Sequence, residues 1–471
     1  MIVEQIYTGC LAHGAYFIQS ENEAAIIDPL REVEPYLERA QKGKAKIKYV
    51  FETHFHADFV SGHLDLASKS GAEIVFGPTA VPSFKAYVAK DNEEFKIGKI
   101  KLKLLHTPGH TMESSCYLLT DENGDEKILF SGDTLFIGDV GRPDLAQKAA
   151  NMTKEQLAGL LYESLQNKIL PLNDDIIVYP AHGAGSACGK LMSKETFDTL
   201  GHQKRTNYAL DPKLTKDAFI EQVTTGLMPP PGYFPFNVGL NKTGYESFET
   251  VLARGMTALE PDKFEMIADL EEALILDTRH QNEFIKEHIP GSVFIGIDGD
   301  FAPWVGALIP RIDQKILIVC EPGREEEVIT RLARVGYDKC IGFLSGGIVS
   351  WKKSGKEIES MGSISADTLS KLSSNSSINI LDVRKKSEYD SQHIVGAINA
   401  PLDYINDSMS KIENRKTYYV HCAGGYRSVI FISILNSRGF NNLINVEGGM
   451  TAIKKNDRFV MSEYVCPTTM L

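Results

Sequence analysis

Part of this 471-residue chain is written twice. Ile275-Leu276-Asp277-Thr278-Arg279 returns as Ile380-Leu381-Asp382-Val383-Arg384, and Glu287-His288-Ile289-Pro290-Gly291-Ser292 returns as Gln392-His393-Ile394-Val395-Gly396-Ala397. Leu344-Ser345-Gly346-Gly347 is answered by Val446-Glu447-Gly448-Gly449. A period of roughly a hundred residues marks a duplicated domain, not a solenoid. Each copy reads strand, turn, helix, strand, which predicts a parallel sheet flanked by helices. The duplication fixes two similar α/β domains at 258–358 and 363–460 and leaves residues 1–250 for a unit of another kind.

In that first unit the chemistry is concentrated in Thr53-His54-Phe55-His56-Ala57-Asp58, directly after the apolar run Ile47-Lys48-Tyr49-Val50-Phe51. A strand supplies rigidity, and the turn after it lets alternate side chains aim at one ion. A bare His-x-His is more often a surface pair. Here three further ligand-type residues also follow strand-like runs: His110 in Thr107-Pro108-Gly109-His110, Asp133 in Phe130-Ser131-Gly132-Asp133-Thr134, and His182 in Val178-Tyr179-Pro180-Ala181-His182. Their order and context resemble the metallo-β-lactamase fold, an αββα sandwich.

The hydrolytic members of that superfamily, such as glyoxalase II, read His-x-His-x-Asp-His, whereas Phe59 follows Asp58 here. A phenyl ring cannot ligate, so a second metal position lacks a donor. The first half is most similar to the persulfide dioxygenase branch. That resemblance implies one Fe(II) per chain, held by His54, His110 and Asp133 as a facial triad with open positions for substrate. It also implies that His56, Asp58 and His182 surround the metal without binding it, orienting ligands and placing charge nearby. His13, His63, His106 and His202 read as structural. In Gly138-Asp139-Val140-Gly141-Arg142-Pro143-Asp144, Arg142 matches the arginine that binds glutathione in the same branch. The residues alone leave equally open a pairing of Arg142 with Asp139 or Asp144.

The Asp-x-Arg, His-Ile-x-Gly and Gly-Gly signatures of the repeats resemble rhodanese domains, with their Asp and His bracing the fold. In the second copy the strand Tyr418-Tyr419-Val420 delivers His421-Cys422-Ala423-Gly424-Gly425-Tyr426-Arg427-Ser428 to a helix start. Small residues let backbone N–H groups turn toward a sulfur anion, and the helix N-terminus adds positive potential. Cys422 is the expected nucleophile, Arg427 a fixed charge at the rim, and Ala423, Gly424, Gly425, Tyr426 and Ser428 the cradle. Only four residues separate Cys422 from Arg427, a loop tighter than a phosphatase needs around a tetrahedral phosphate. Laid on the second copy without a gap, the first puts Val319 opposite Cys422. Cys320, beside Pro322 and a run of glutamates at 325–327, then belongs to a degenerate rhodanese.

Composition narrows the remaining classes. A formal charge of −12, with no basic stripe, speaks against nucleic-acid and anionic-membrane partners. No apolar run approaches a membrane span and the N-terminus lacks a signal pattern. Seven scattered cysteines without framework spacing fit a cytoplasmic location. Between the halves, Ser193 to about Thr225 reads as polar and helix-like, and Pro229 to Pro235 as an extended strap. The resemblances together imply a fused persulfide dioxygenase and sulfurtransferase of sulfide detoxification. It would oxidise a glutathione-type thiol persulfide with O2 to sulfite, and move sulfur through Cys422 to give thiosulfate. Two other readings stand beside this one: a zinc thioesterase of the glyoxalase II kind with an appended sulfurtransferase, and a sulfur or redox sensor with a structural metal. Association into a homo-oligomer stays open.

Overall fold

In the computed structural model, which describes residues 1–375 and 378–466, the first unit is built on two facing sheets. One runs in strand order β1 (Ile2–Thr8), β2 (His13–Ser20), β3 (Glu23–Ile27), β4 (Lys46–Phe51), β5 (Glu73–Phe76), β6 (Tyr87–Val88). The other comprises β7 (Glu94–Ile97), β8 (Ile100–His106), β9 (Ser115–Thr120), β10 (Glu126–Gly132), β11 (Ile177–Pro180) and β12 (Asp198–Thr199), again in consecutive order. Alternation along the strands fills the space between the sheets: Tyr16, Ile18, Ile27, Phe51 and Val75 from one meet Leu102, Leu104, Tyr117, Leu119 and Phe130 from the other. The outer faces are covered by helices. Tyr36 and Ala40 of the helix Glu34–Lys42 pack with Ile26, Ile47 and Val50, and Leu157, Leu161 and Phe219 from Lys154–Ser164 and Lys216–Thr224 cover the second sheet. This is the αββα sandwich. Burying a large apolar side chain contributes roughly 1.5–3 kcal/mol, so these layers hold the loops at the sandwich rim firmly.

The proline-rich stretch departs from expectation. The chain is irregular through Pro231 and then enters a helix, Phe234–Thr243, with Pro235 in its first turn. There the missing N–H costs nothing and the fixed φ suits the helix. The polar segment before it forms two helices, Leu200–Thr206 and Lys216–Thr224, each capped by a threonine side chain.

The repeats form two five-stranded parallel sheets of identical connectivity. The first has the order β13 (Ala258–Leu259), β17 (Cys340–Leu344), β16 (Ile316–Val319), β14 (Leu274–Asp277), β15 (Val293–Phe294). The second has β18 (Ser363–Ile364), β22 (Leu443–Val446), β21 (Tyr418–His421), β19 (Asn379–Asp382), β20 (Ile398–Asn399). The Asp-x-Arg signatures brace both copies alike. Arg279 grips Asp277 and donates to the Glu287 carbonyl, while Arg384 grips Asp382 and donates to the Gln392 carbonyl. The motif histidines stack on aromatic rings one turn earlier, His288 on Phe284 at 4.1 Å and His393 on Tyr389 at 3.7 Å between centroids. The division between the two compact units falls at Thr250–Val251. Among the described residues no helix is long and apolar enough to cross a membrane.

Candidate functional sites

Four loops that follow β4, β8, β10 and β11 converge at the rim of the sandwich, and the ligand-type residues ride on them. Gly132 makes the convergence possible: its φ is +53°, and a Cβ there would lie 2.7 Å from that of Thr53. His54, His110 and Asp133, all buried, bring one ligand atom each within 4.8 Å of the others. Asp133 Oδ2 lies 3.4 Å from His110 Nε2 and 3.8 Å from His54 Nε2.

The hydrogen bonds behind these groups fix which nitrogen faces inward. His110 Nδ1 donates to the Arg142 carbonyl at 2.9 Å, leaving Nε2 with a bare lone pair. Thr53 spends its hydroxyl proton on Asp28 Oδ2 at 2.8 Å, so its oxygen accepts from His54 Nδ1 at 3.0 Å. His54 Nε2 is then bare as well. Burial keeps the His54 imidazole neutral, well below the usual histidine range. Burial opposes ionisation of Asp133, but His182 and His54 outweigh it and hold the carboxyl well below the usual range. Its Oδ2 is buried without a hydrogen-bond partner. Two bare imidazole nitrogens facing an orphaned carboxylate oxygen are a donor set that a transition-metal dication fits.

His56, Asp58 and His182 form a second buried group with ligand atoms within 4.8 Å of one another. His182 is held between carboxylates, Nδ1 at 2.7 Å from Asp133 Oδ1 and Nε2 at 2.8 Å from Asp58 Oδ2. Burial favours its neutral form, yet Asp133 and Asp58 push it well above the usual range, which makes it a clamped imidazolium that orients Asp133. His56 Nε2 faces Asp28 at 3.1 Å. Phe59, with no solvent exposure, sets its ring 4.3 Å from that of His56 and 4.2 Å from that of His13.

Two residues at this site escaped sequence reasoning. His13, the first residue of β2, lies fully buried 5.3 Å from His182 and 5.6 Å from His56, with Nδ1 unpartnered. Burial, then His182 and His56, lowers its pKa to about 3. Cys188 groups with Asp133 and His182, and burial and the nearby carboxylates raise its thiol well above the usual range. Neither sits in a motif, so only the fold brings them in. His63 lies away from the triad, against Glu52 at 3.2 Å and stacked on Phe84 at 5.0 Å.

Of the partners the sequence left open for Arg142, the structure shows Asp144. The side chain is buried, bonded to both oxygens of Asp144 at 2.7 Å, and it donates to the carbonyls of Ala187 and Met228. It is instead the Arg142 backbone carbonyl that serves the site, by fixing the His110 tautomer.

In the second repeat Cys422 is buried at the end of β21, and the Gly425 N–H donates to its sulfur at 3.1 Å. Gly425 has φ +103°, the turn that aims this N–H. The Ser428 hydroxyl lies 3.6 Å from the sulfur and is anchored on Asn445. Ala423, Gly424 and Arg427 line the cavity in front of Cys422, and Arg427 is clamped bidentate by Glu388 at 2.6 and 2.9 Å. Tyr426 also lines this cavity, and its hydroxyl donates to the Gly296 carbonyl of the first repeat at 2.6 Å.

Strand register corrects the reading of the first repeat. Asp277 of β14 stands opposite Val319, and its counterpart Asp382 of β19 stands opposite His421. Val319 therefore matches His421, and Cys320 occupies the place of Cys422. The gapless comparison failed because the copies slip by one residue between Gly323 and Gly336. The loop around Cys320 differs from its counterpart in the second repeat. Gly323, at φ +90°, gives its N–H to the Glu325 carboxylate at 2.9 Å, where Gly425 gives its own to the sulfur. Glu325 stands at the Arg427 position. Burial and Glu325 push the Cys320 thiol up to about 12.

Comparison with known proteins agrees with this division. Residues 8–182 match the metallo-beta-lactamase superfamily, and residues 260–354 and 365–456 each match the rhodanese-like domain. A hydroxyacylglutathione hydrolase GloC of Haemophilus influenzae is 28% identical over 41% of this chain and 90% of its own length. A hydroxyacylglutathione hydrolase of Tolumonas auensis is 34% identical over 36% of this chain, which spans 60% of that relative. A crystal structure of a metallo-beta-lactamase from Staphylococcus aureus is 31% identical, covers 73% of this chain and 98% of its own, and superposes with a TM-score of 0.64. The chain belongs to the metallo-beta-lactamase superfamily and carries two rhodanese-like domains after its metal-site domain.

Proposed function

We propose that the protein is a persulfide dioxygenase joined to a sulfurtransferase. The observation that carries the reading is Phe59, which stands where a metal donor would complete a second site, beside the buried triad of His54, His110 and Asp133. A persulfide carried by a low-molecular-weight thiol reacts with O2 and water to give the free thiol and sulfite, R–SSH + O2 + H2O → R–SH + H2SO3. Fe(II) bound by the triad supplies the redox chemistry. His182 and Asp58 hold Asp133 in place, and the Arg142 carbonyl holds His110. At the second site the Cys422 thiolate takes a sulfane sulfur. Its persulfide passes that sulfur to sulfite, giving thiosulfate and the free cysteine. Glutathione as the carrier is supported by relatives named for glutathione conjugates.

Those names also favour a second reading, hydrolysis of a glutathione thioester by a dinuclear zinc site, with His56, Asp58 and His182 as the further donors. An oxygen-electrode assay separates the two. Wild-type protein given glutathione persulfide should consume O2 and release an equal amount of sulfite and thiosulfate taken together, and His110→Ala or Asp133→Ala should stop both. Absence of O2 uptake by iron-loaded protein would remove the dioxygenase reading.

A further inference from the structure

The cavity in front of Cys422, about 510 Å³, is lined by both repeats: Lys385, Glu388, Ala423, Gly424, Tyr426 and Arg427 from the second, Asp300 and Trp304 from the first. Its size belongs to the range for organic ligands, far more than a sulfite or thiosulfate ion occupies. Its charges divide in an informative way. Arg427 and Glu388 neutralise each other in a bidentate pair. The Asp300 carboxylate heads the helix Phe301–Leu308 without capping it, and neither Asp300 nor Lys385 has an ion-pair partner among the described residues. One free anion and one free cation therefore face the cavity beside the largely buried indole of Trp304.

The wall from the first repeat is fastened in place. The Tyr426 hydroxyl donates to the Gly296 carbonyl, and the Phe294 N–H donates to Ser433 Oγ at 2.9 Å. The Tyr426 ring lies so close to Gly299 that a Cβ there would come within 2.3 Å of it. The first repeat is thus a fixed part of the second repeat's pocket.

We propose that the sulfur carrier recognised at Cys422 is a thiol bearing both an ammonium and a carboxylate, an amino-acid or glutathione-type persulfide. Asp300 reads the ammonium, Lys385 reads the carboxylate, and Trp304 covers the carbon chain, so the degenerate repeat sets specificity. This rests on the sulfurtransferase reading of Cys422. In the transfer, the Cys422 thiolate attacks the outer sulfur of R–S–SH. The new bond joins Cys422 Sγ to that sulfur, the old S–S bond breaks, and its electron pair leaves as R–S⁻, with no external oxidant or reductant.

The test uses the full chain without O2, with sulfite as acceptor and thiosulfate as the readout. Donors are the persulfides of cysteine, of N-acetylcysteine, which lacks the ammonium, and of cysteamine, which lacks the carboxylate. Asp300→Asn should cut the kcat/KM preference for cysteine over N-acetylcysteine persulfide about tenfold, and Lys385→Gln should cut the preference for cysteine over cysteamine persulfide about tenfold, the scale of one charge-assisted contact. Cys422-dependent turnover with unchanged preferences would overturn the inference alone. No Cys422-dependent thiosulfate from any donor would overturn the sulfurtransferase reading and the inference with it.

Discussion

Asn241 tests whether the metal loop is held from behind. This buried side chain comes from the helix Phe234–Thr243. Its amide donates to the carbonyls of His56 and Phe59 at 2.8 Å each, and its oxygen accepts from the Ser61 N–H at 2.9 Å. Asn241→Ala leaves three buried backbone groups without partners. At about 1–1.5 kcal/mol net per hydrogen bond the loss is roughly 3–4.5 kcal/mol. For a unit of this size that corresponds to a fall of about 6–18 °C in Tm. Calorimetry of apo and Fe(II)-loaded protein identifies the relevant transition as the one the metal raises. That transition should fall by this amount while the rhodanese transition stays, and Fe(II) should bind more weakly because His56 and the backbone behind His54 are no longer fixed. A loss below about 1 kcal/mol with unchanged metal affinity would refute the reasoning, since it would mean water or a shifted loop satisfies the three groups at no cost.

Cys422→Ser should abolish sulfur transfer without altering metal content, whereas Cys320→Ser should leave transfer intact, as measured by thiosulfate formation. With its pKa pushed up to about 12, Cys320 at pH 8 is a thiolate in roughly one molecule in ten thousand. Iodoacetamide should therefore spare it in the folded protein while labelling the exposed Cys466, a result read by peptide mass spectrometry. Arg142→Ala strands the largely buried Asp144 and should cost about 3–5 kcal/mol in urea unfolding. Its effect on KM should be the same for persulfides with and without carboxylates.

Much of this was written in local sequence. The ligand residues after β4, β8, β10 and β11 were legible because each loop carries its own short motif, and the duplicated domains because period and order repeat. What was hidden depends on contacts distant along the chain. His13 joins the site only because β2 lies beside the rim, and Cys188 only because its loop folds back onto Asp133. Arg142 could not be assigned from its neighbours, since Asp144 competes with any substrate at a distance the sequence does not give. Cys320 was misplaced by one residue because helix length between Gly323 and Gly336 is unconstrained by the strands, whereas the pairing of Asp277 with Val319 fixes the register. Glu325 was visible as a charge, but not as the group that takes the Gly323 N–H.

The most direct test of the central claim is metal analysis of protein made with iron and zinc both available, together with activity on S-lactoylglutathione and glutathione persulfide. The account predicts close to one iron per chain, oxidation of the persulfide and negligible thioester hydrolysis. Two zinc ions per chain with brisk hydrolysis of S-lactoylglutathione would contradict it, and would mean that His56, Asp58 and His182 bind metal despite Phe59.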